Sequence, residues 1–156
     1  MATKLIIDGY NFLWGSSVFR DKNVNFEKGR EAIFQWMARH PQLQNFEVIV
    51  VFDAHQTSAR VPTRTPYQGF EVIYTSSGQT ADSLIQDLSA QYTSGAIVIS
   101  SDNEVARYAE KKGCGVLGSS EFQKVIEHPE EFSFDPARKL PKGKRKAFAK
   151  ILSSAV

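Results

Sequence analysis

Four aspartates carry the chemistry that this sequence can offer. Asp8 ends the apolar run beginning at Lys4, Asp53 ends the run from Phe46 to Phe52, and Asp102 follows Ala96 to Ser100 with only Ser101 between. Asp82 stands in the first turn of a helix predicted after the run from Phe70 to Thr75. If those runs are parallel strands, a residue just past a strand end lies at the carboxyl edge of the sheet, where open α/β folds place their ligands. With neighbouring strands ~4.8 Å apart, several of these carboxylates are expected within a few ångströms of one another. Like charges that close raise one another's pKa unless a cation sits among them. A hard divalent ion, Mg²⁺ or Mn²⁺, suits carboxylate oxygens plus water and needs no cysteine or histidine cluster. Each acid also has a plainer reading: Asp8 and Asp53 as turn residues, Asp102 as a helix cap, Asp82 as a favourable charge at a helix N-terminus. The recurrence, not any one residue, points to a metal site.

Metal held by acids, with cations on nearby segments, points to phosphoryl chemistry. In a two-metal site the ions activate a water and stabilise the leaving oxygen of an in-line displacement, so no serine, cysteine or histidine nucleophile is needed. A covalent mechanism of the haloacid-dehalogenase kind wants a second aspartate two residues after the first, and Tyr10 stands there. Arg60 and Arg64, on a polar segment leaving Asp53, are candidate phosphate contacts or simply solvated charges. Tyr67 can stack on a base. His55 can stabilise a leaving group, or merely hydrogen-bond to its aspartate neighbour.

Charge is unevenly spread. Arg138 to Lys150 holds seven cations and no acid, so of the formal +2 the rest of the chain carries −5. A basic segment of this density meets nucleic acid or another anionic surface, unless it is only a solvated terminus. Lys142, Lys144, Arg145 and Lys146 are therefore candidate RNA contacts. Ala147, Phe148, Ile151 and Leu152 give the same segment a helical apolar stripe able to dock on the body. The expected organisation is a catalytic domain over residues 1–128 and a basic C-terminal extension over 129–156.

The elements that must position these residues alternate. Asn25 caps a helix whose apolar positions include Ile33, Trp36 and Met37, read as core; Thr80 caps one carrying Leu84, Ile85 and Leu88; Gly113 closes one that begins after Asp102. Ser120-Glu121-Phe122-Gln123 has capping-box form, and Gly115 to Leu117 is a short strand. The stretch from Asp8 to Phe19 shows no clear period. Gln56 to Gly69 is too rich in proline and threonine for a helix interior and is read as a loop. The predicted fold is α/β, a three-layer sandwich with a parallel, doubly wound, Rossmann-like sheet of about five strands. Gly113-Cys114-Gly115-Val116-Leu117-Gly118 fits G-x-G-x-x-G by letter, but a helix precedes it and a strand runs through it, the reverse of a dinucleotide site.

At 156 residues the chain suits one domain burying roughly 70% of its unfolded surface. The single cysteine, Cys114, excludes an internal disulfide framework and fits a reducing, cytoplasmic setting. Neither a leader peptide nor a run near the ~20 apolar residues of a membrane helix is present, so no membrane association is expected.

Ile7-Asp8-Gly9-Tyr10-Asn11, Val50-Val51-Phe52-Asp53-Ala54-His55, Thr80-Ala81-Asp82 and Ser101-Asp102 together resemble the YacP-like branch of the NYN domains, relatives of PIN nucleases. The resemblance runs from about Lys4 to about Lys124. It implies a PIN-like sandwich, metal-dependent endoribonuclease activity and, for some members, action on ribosome-associated RNA. It also implies that Asp8, Asp53, Asp82 and Asp102 hold the metals while Asn11 orients a water or a phosphate. PIN relatives often add a helix acid, a place open to Glu27 or Glu31. The rival reading is a non-catalytic RNA- or ribosome-binding module, although a pure binder gains nothing from four carboxylates that repel phosphate.

Overall fold

A computed structural model describes residues 2–18, 25–54, 58–132 and 142–153, with the side chains of residues 142 and 143 outside that description. Five strands run parallel: β1 (Lys4–Asp8), β2 (Glu47–Phe52), β4 (Phe70–Tyr74), β5 (Ala96–Ile99) and β6 (Gly115–Leu117). They are continuous apolar runs because helices cover both faces, as parallel sheets require. Alternation sorts the side chains: Leu5, Ile7, Val48, Val50, Val72, Ile97 and Ile99 join one core, Ile6, Ile49, Val51, Ile73, Val98 and Val116 the other. Helices α1 (Gly9–Gly15), α2 (Phe26–Ala38), α5 (Ser119–Glu127) and α6 (Lys142–Ser153) pack on the first core, α3 (Ala81–Tyr92) and α4 (Asn103–Lys111) on the second. The result is the expected three-layer α/β sandwich.

The sheet departs from the sequence reading at one edge. It has six strands in the order β3-β4-β2-β1-β5-β6, and β3 (Thr63–Tyr67) is antiparallel to β4, so the sheet is mixed and not wholly parallel. This strand falls inside the segment read as a loop. Its residues are all exposed and include Pro66, so no apolar alternation marks it. What makes it a strand is the turn: Gln68 and Gly69 both have positive φ, +48° and +87°, which gives a two-residue hairpin the twist that lets β3 pair back on β4. Proline is tolerated because the strand is an edge.

Two other local readings change. The stretch after Asp8 is helical, and α1 starts at Gly9, where a Cβ would meet the Phe52 ring at 2.3 Å. The cap of α5 lies two residues earlier than read: Glu121 accepts from the Gly118 N–H at 2.9 Å, so only the glutamate half of the box forms, on Gly118 and not Ser120. The predicted caps Asn25 and Thr80 accept from Lys28 and Ser83 backbone N–H groups, and Gly113 ends α4 with φ +91°. Trp36 and Met37 are core, and the Trp36 indole N–H donates to Glu127 at 2.7 Å.

The basic C-terminal stretch reaches the main core. Ala147, Phe148 and Ile151 of α6 are at most 3% exposed, and Phe148 stacks on Phe132 with 5.3 Å between centroids. Arg145, Lys146 and Lys150 stay on the exposed side of the helix.

Candidate active site

Strand order decides which acids meet. Because β1 lies between β2 and β5, the ends of all three fall side by side, and β4 next to β2 delivers the start of α3 to the same edge. Asp8 is the buried member, 6% exposed. The Ser100 hydroxyl donates to Asp8 Oδ2 at 3.0 Å and accepts from the Asp102 backbone N–H at 3.1 Å, so one side chain ties the first acid to the loop of the fourth. Asp53 Oδ1 accepts from the Ala81 N–H at 2.7 Å, which clamps the start of α3 and thereby Asp82 against the end of β2. Asp102 Oδ1 accepts from the N–H groups of Glu104 and Val105, capping α4.

Capping and ligation therefore coexist. One oxygen each of Asp8, Asp53 and Asp102 is engaged in holding the fold, and among the described residues the second oxygen of each has no hydrogen-bond partner. Among the described residues neither oxygen of Asp82 has a hydrogen-bond partner. The plainer reading of Asp102 as a helix cap is correct as far as one oxygen goes, whereas Asp53 is no local turn residue: its bond reaches 28 positions along the chain.

Electrostatics single out this edge. The Asp8 carboxyl is pushed up to about 7, chiefly by burial; the Ser100 hydrogen bond opposes the rise, and Asp82, Asp53 and Asp102 add to it. Asp82 is also raised, first by burial and then by Asp102, Asp53 and Glu104. Among the described residues no lysine or arginine pairs with any of the four. The acids are nevertheless spaced more widely than the strand separation led us to expect. No three of them bring ligand atoms within 4.8 Å of one another; the described trio that does is His128, Glu130 and Glu131, exposed on a turn. The reason is visible in the caps, which turn Asp53 toward α3 and Asp102 toward α4. Four carboxylates gathered at one edge with no neutralising cation among the described residues are a donor set that fits a hard divalent ion keeping some of its waters.

The other predicted residues divide. Asn11 stands at the edge, but its Oδ1 accepts from the Ser101 N–H and the Ser119 hydroxyl, both at 2.8 Å, so it braces the loops after β5 and β6. Lys144 comes to the same side of the molecule and pairs with Glu121 at 2.6 Å, beside a cavity that Ser100 and Ser101 also line. Arg64 goes elsewhere: it pairs with Glu71 and lines a groove with Lys4 and Glu47, at the amino ends of β1 and β2. Tyr67 is stacked on Phe34 at 4.4 Å. Arg60, Arg145 and Lys146 are exposed, and Glu27 and Glu31 lie exposed on α2. His55, Arg138 and Lys139 lie outside the described residues, as does the Lys142 side chain. Sequence reasoning missed Ser100, whose only signal is a small hydroxyl residue at a strand end beside an acid. It also missed Arg30, which donates to the Tyr10 hydroxyl at 2.8 Å.

Comparison with known proteins agrees with this fold. The sequence profile of the YacP-like NYN domain matches residues 5–156, further toward the C-terminus than the four motifs reach. A stretch of 85 residues is 36% identical to the uncharacterized protein YacP of Bacillus subtilis (strain 168); it is 54% of this chain and 49% of that protein, so the match spans about half the relative's length. Among solved structures, a tryptophan-to-leucine mutant of Rae1 (YacP) from Bacillus subtilis superimposes with TM-score 0.66 at 26% identity, covering 97% of this chain and 91% of that one. Another crystal structure of Rae1 (YacP) gives 0.61 at 29% identity, over 81% and 75% of the two chains. A profile match along nearly all its length, with the matching fold, makes this chain a member of the YacP-like NYN domain family, with a nuclease-type domain.

Proposed function

We propose that the protein is a Mg²⁺- or Mn²⁺-dependent endoribonuclease whose metal is held by Asp8, Asp53, Asp82 and Asp102. The observation that carries this reading is the set of four carboxylates at the carboxyl edge that no described lysine or arginine pairs with, Asp8 being the buried one. Bound there, the ion would supply Lewis acidity to activate a water and to stabilise the leaving oxygen of a phosphodiester. Everything else is positioning by the chain. Ser100 fixes the Asp8 carboxylate, the Ala81 N–H fixes Asp53, and the α4 amides fix Asp102, so the ligand oxygens need little reorganisation on binding. Asn11 keeps the loops after β5 and β6 in register with α1. RNA as the substrate, and ribosome-bound RNA as its presented form, are part of the same proposal.

The test is cleavage of an end-labelled, partly structured RNA, free and on ribosomes, with Mg²⁺, Mn²⁺ or EDTA, comparing wild type with Asp82→Asn. Internal cuts that need metal and vanish in the variant are expected. Equal cutting by both proteins, or cutting that persists in EDTA, would overturn the assignment; a wild type that binds RNA but never cuts it would favour the binding module.

A further inference from the structure

Beside the acid edge lies a cavity of about 460 Å³, bounded by α4, β6, the start of α5 and α6. We infer that it receives one nucleotide of the substrate RNA, next to the bond to be cut, with Arg107 as the charged anchor. The inference rests on the RNA reading above and adds a specificity-determining site to it.

Position is the first argument. The cavity wall includes Ser100, which is bonded to Asp8, and Ser101, which directly precedes Asp102. A chain whose phosphate sits at the acids must send its next nucleotide along one rim of the edge, and this rim is hollow. Lining chemistry is the second. Ala106 and the carboxyl end of β6, whose own side chains Val116 and Leu117 are buried in the cores, give a wall for the flat face of a base, while Asn103 and Ser120 offer an amide and a hydroxyl for its edge. The volume lies in the usual range of small-ligand sites.

Arg107 is the third argument and the sharpest. Lys4 pairs with Glu47, Arg64 with Glu71 and Lys144 with Glu121. Arg107 is exposed, lines the cavity and, among the described residues, has no ion-pair or hydrogen-bond partner. The two acids in the lining do not cancel it: Glu121 is held by Lys144 and the Gly118 N–H, and Glu110 makes no ion pair with Arg107. A planar guanidinium left open beside a half-apolar cavity can grip a phosphate bidentately or lie on a base, and a lysine cannot do both. The larger groove at the amino ends of the strands, about 630 Å³, has no such group because Lys4 and Arg64, its cations, are both paired.

The experiment uses the full chain carrying Asp8→Asn, so that binding is read without cutting, and a 5′-fluorescein-labelled single-stranded 12-nucleotide RNA followed by anisotropy. Arg107→Ala is expected to weaken binding roughly 5- to 150-fold, the range for one base contact. Ala106→Leu, which fills the cavity and leaves every charge in place, should weaken it at least fivefold. In the otherwise wild-type protein both changes should alter which nucleotides flank the cuts. Binding within twofold for both variants overturns the proposal, and so does a loss confined to Arg107→Ala, which would be general charge attraction only. Because affinity is read in a protein that does not cut, failure of the nuclease assignment leaves this result standing, and the reverse.

Discussion

The two ends of the sheet treat charge in opposite ways. At the amino ends of β1, β2 and β4, Lys4 faces Glu47, Arg64 faces Glu71, and Lys4 lies over the Tyr92 ring at 5.2 Å. Each charge there has a partner, and exposed pairs of this kind contribute at most about 1 kcal/mol. At the carboxyl ends four acids gather at one edge, none pairs with a described cation, and the most buried has its carboxyl pushed up to about 7. Both ends belong to the same strands and the same cores. The contrast teaches that the larger cavity is not the better functional candidate, because chemistry resides where the fold tolerates unfavourable electrostatics.

The strongest way to break this comparison is to neutralise the buried acid. Asp8→Asn should all but abolish metal-dependent RNA cleavage, by about 10²- to 10³-fold as expected for loss of transition-state charge stabilisation. The same change should stabilise the free protein at pH 8. A carboxyl whose pKa rises from 3.8 to about 7 on folding costs the folded state at most about 4 kcal/mol when ionised, at ~1.4 kcal/mol per unit. The sign follows from the direction: as pH falls through 7 toward 3.8 the folded protein takes up the proton first, so wild-type stability from this group rises toward acid. Urea melts at pH 8, 7 and 5 should show the variant's advantage shrinking with pH, and an advantage that stays constant would remove Asp8 as its source.

Metal should then do at pH 8 what protonation does at low pH. At a concentration about 100 times Kd, Mg²⁺ or Mn²⁺ adds about 2.7 kcal/mol, which is ~5–10 °C in Tm for a chain of this size. Asp82→Asn should remove most of that shift, and an equal shift in the variant would move the ion elsewhere. Ser100→Ala comes next: with the tie to Asp8 and the Asp102 loop lost, cleavage is expected to fall about tenfold, visible in kcat at saturating RNA. Least affected is the paired end. Arg64→Ala should cost about 0.5 kcal/mol or less in a urea melt and leave RNA cleavage within twofold; a tenfold loss would return Arg64 to the RNA interface.

Much of the fold and of the site was legible in the sequence. Continuous apolar runs ending in Asp8, Asp53 and Asp102 marked buried parallel strands, since only strands covered on both faces have no polar alternation. Asn25, Thr80 and Gly113 marked helix ends because capping is local chemistry between a side chain or a backbone angle and the next turn. The apolar stripe of α6 was readable for the same reason, as a period along one helix. Tertiary structure alone decided the rest. β3 has no inward face, so its pairing depends on β4 and the Gln68-Gly69 turn and leaves no periodic trace. That Ser100 holds Asp8 follows from β1 lying beside β5, an adjacency of residues 92 positions apart. The spacing of the acids depends on which oxygen each gives to a helix cap, and the emptying of Arg107's surroundings depends on Lys144 taking Glu121 across 23 residues. The order of acids along the chain is sequence; which of their oxygens remain available, and what lies beside them, is a property of packed neighbours that no local pattern encodes.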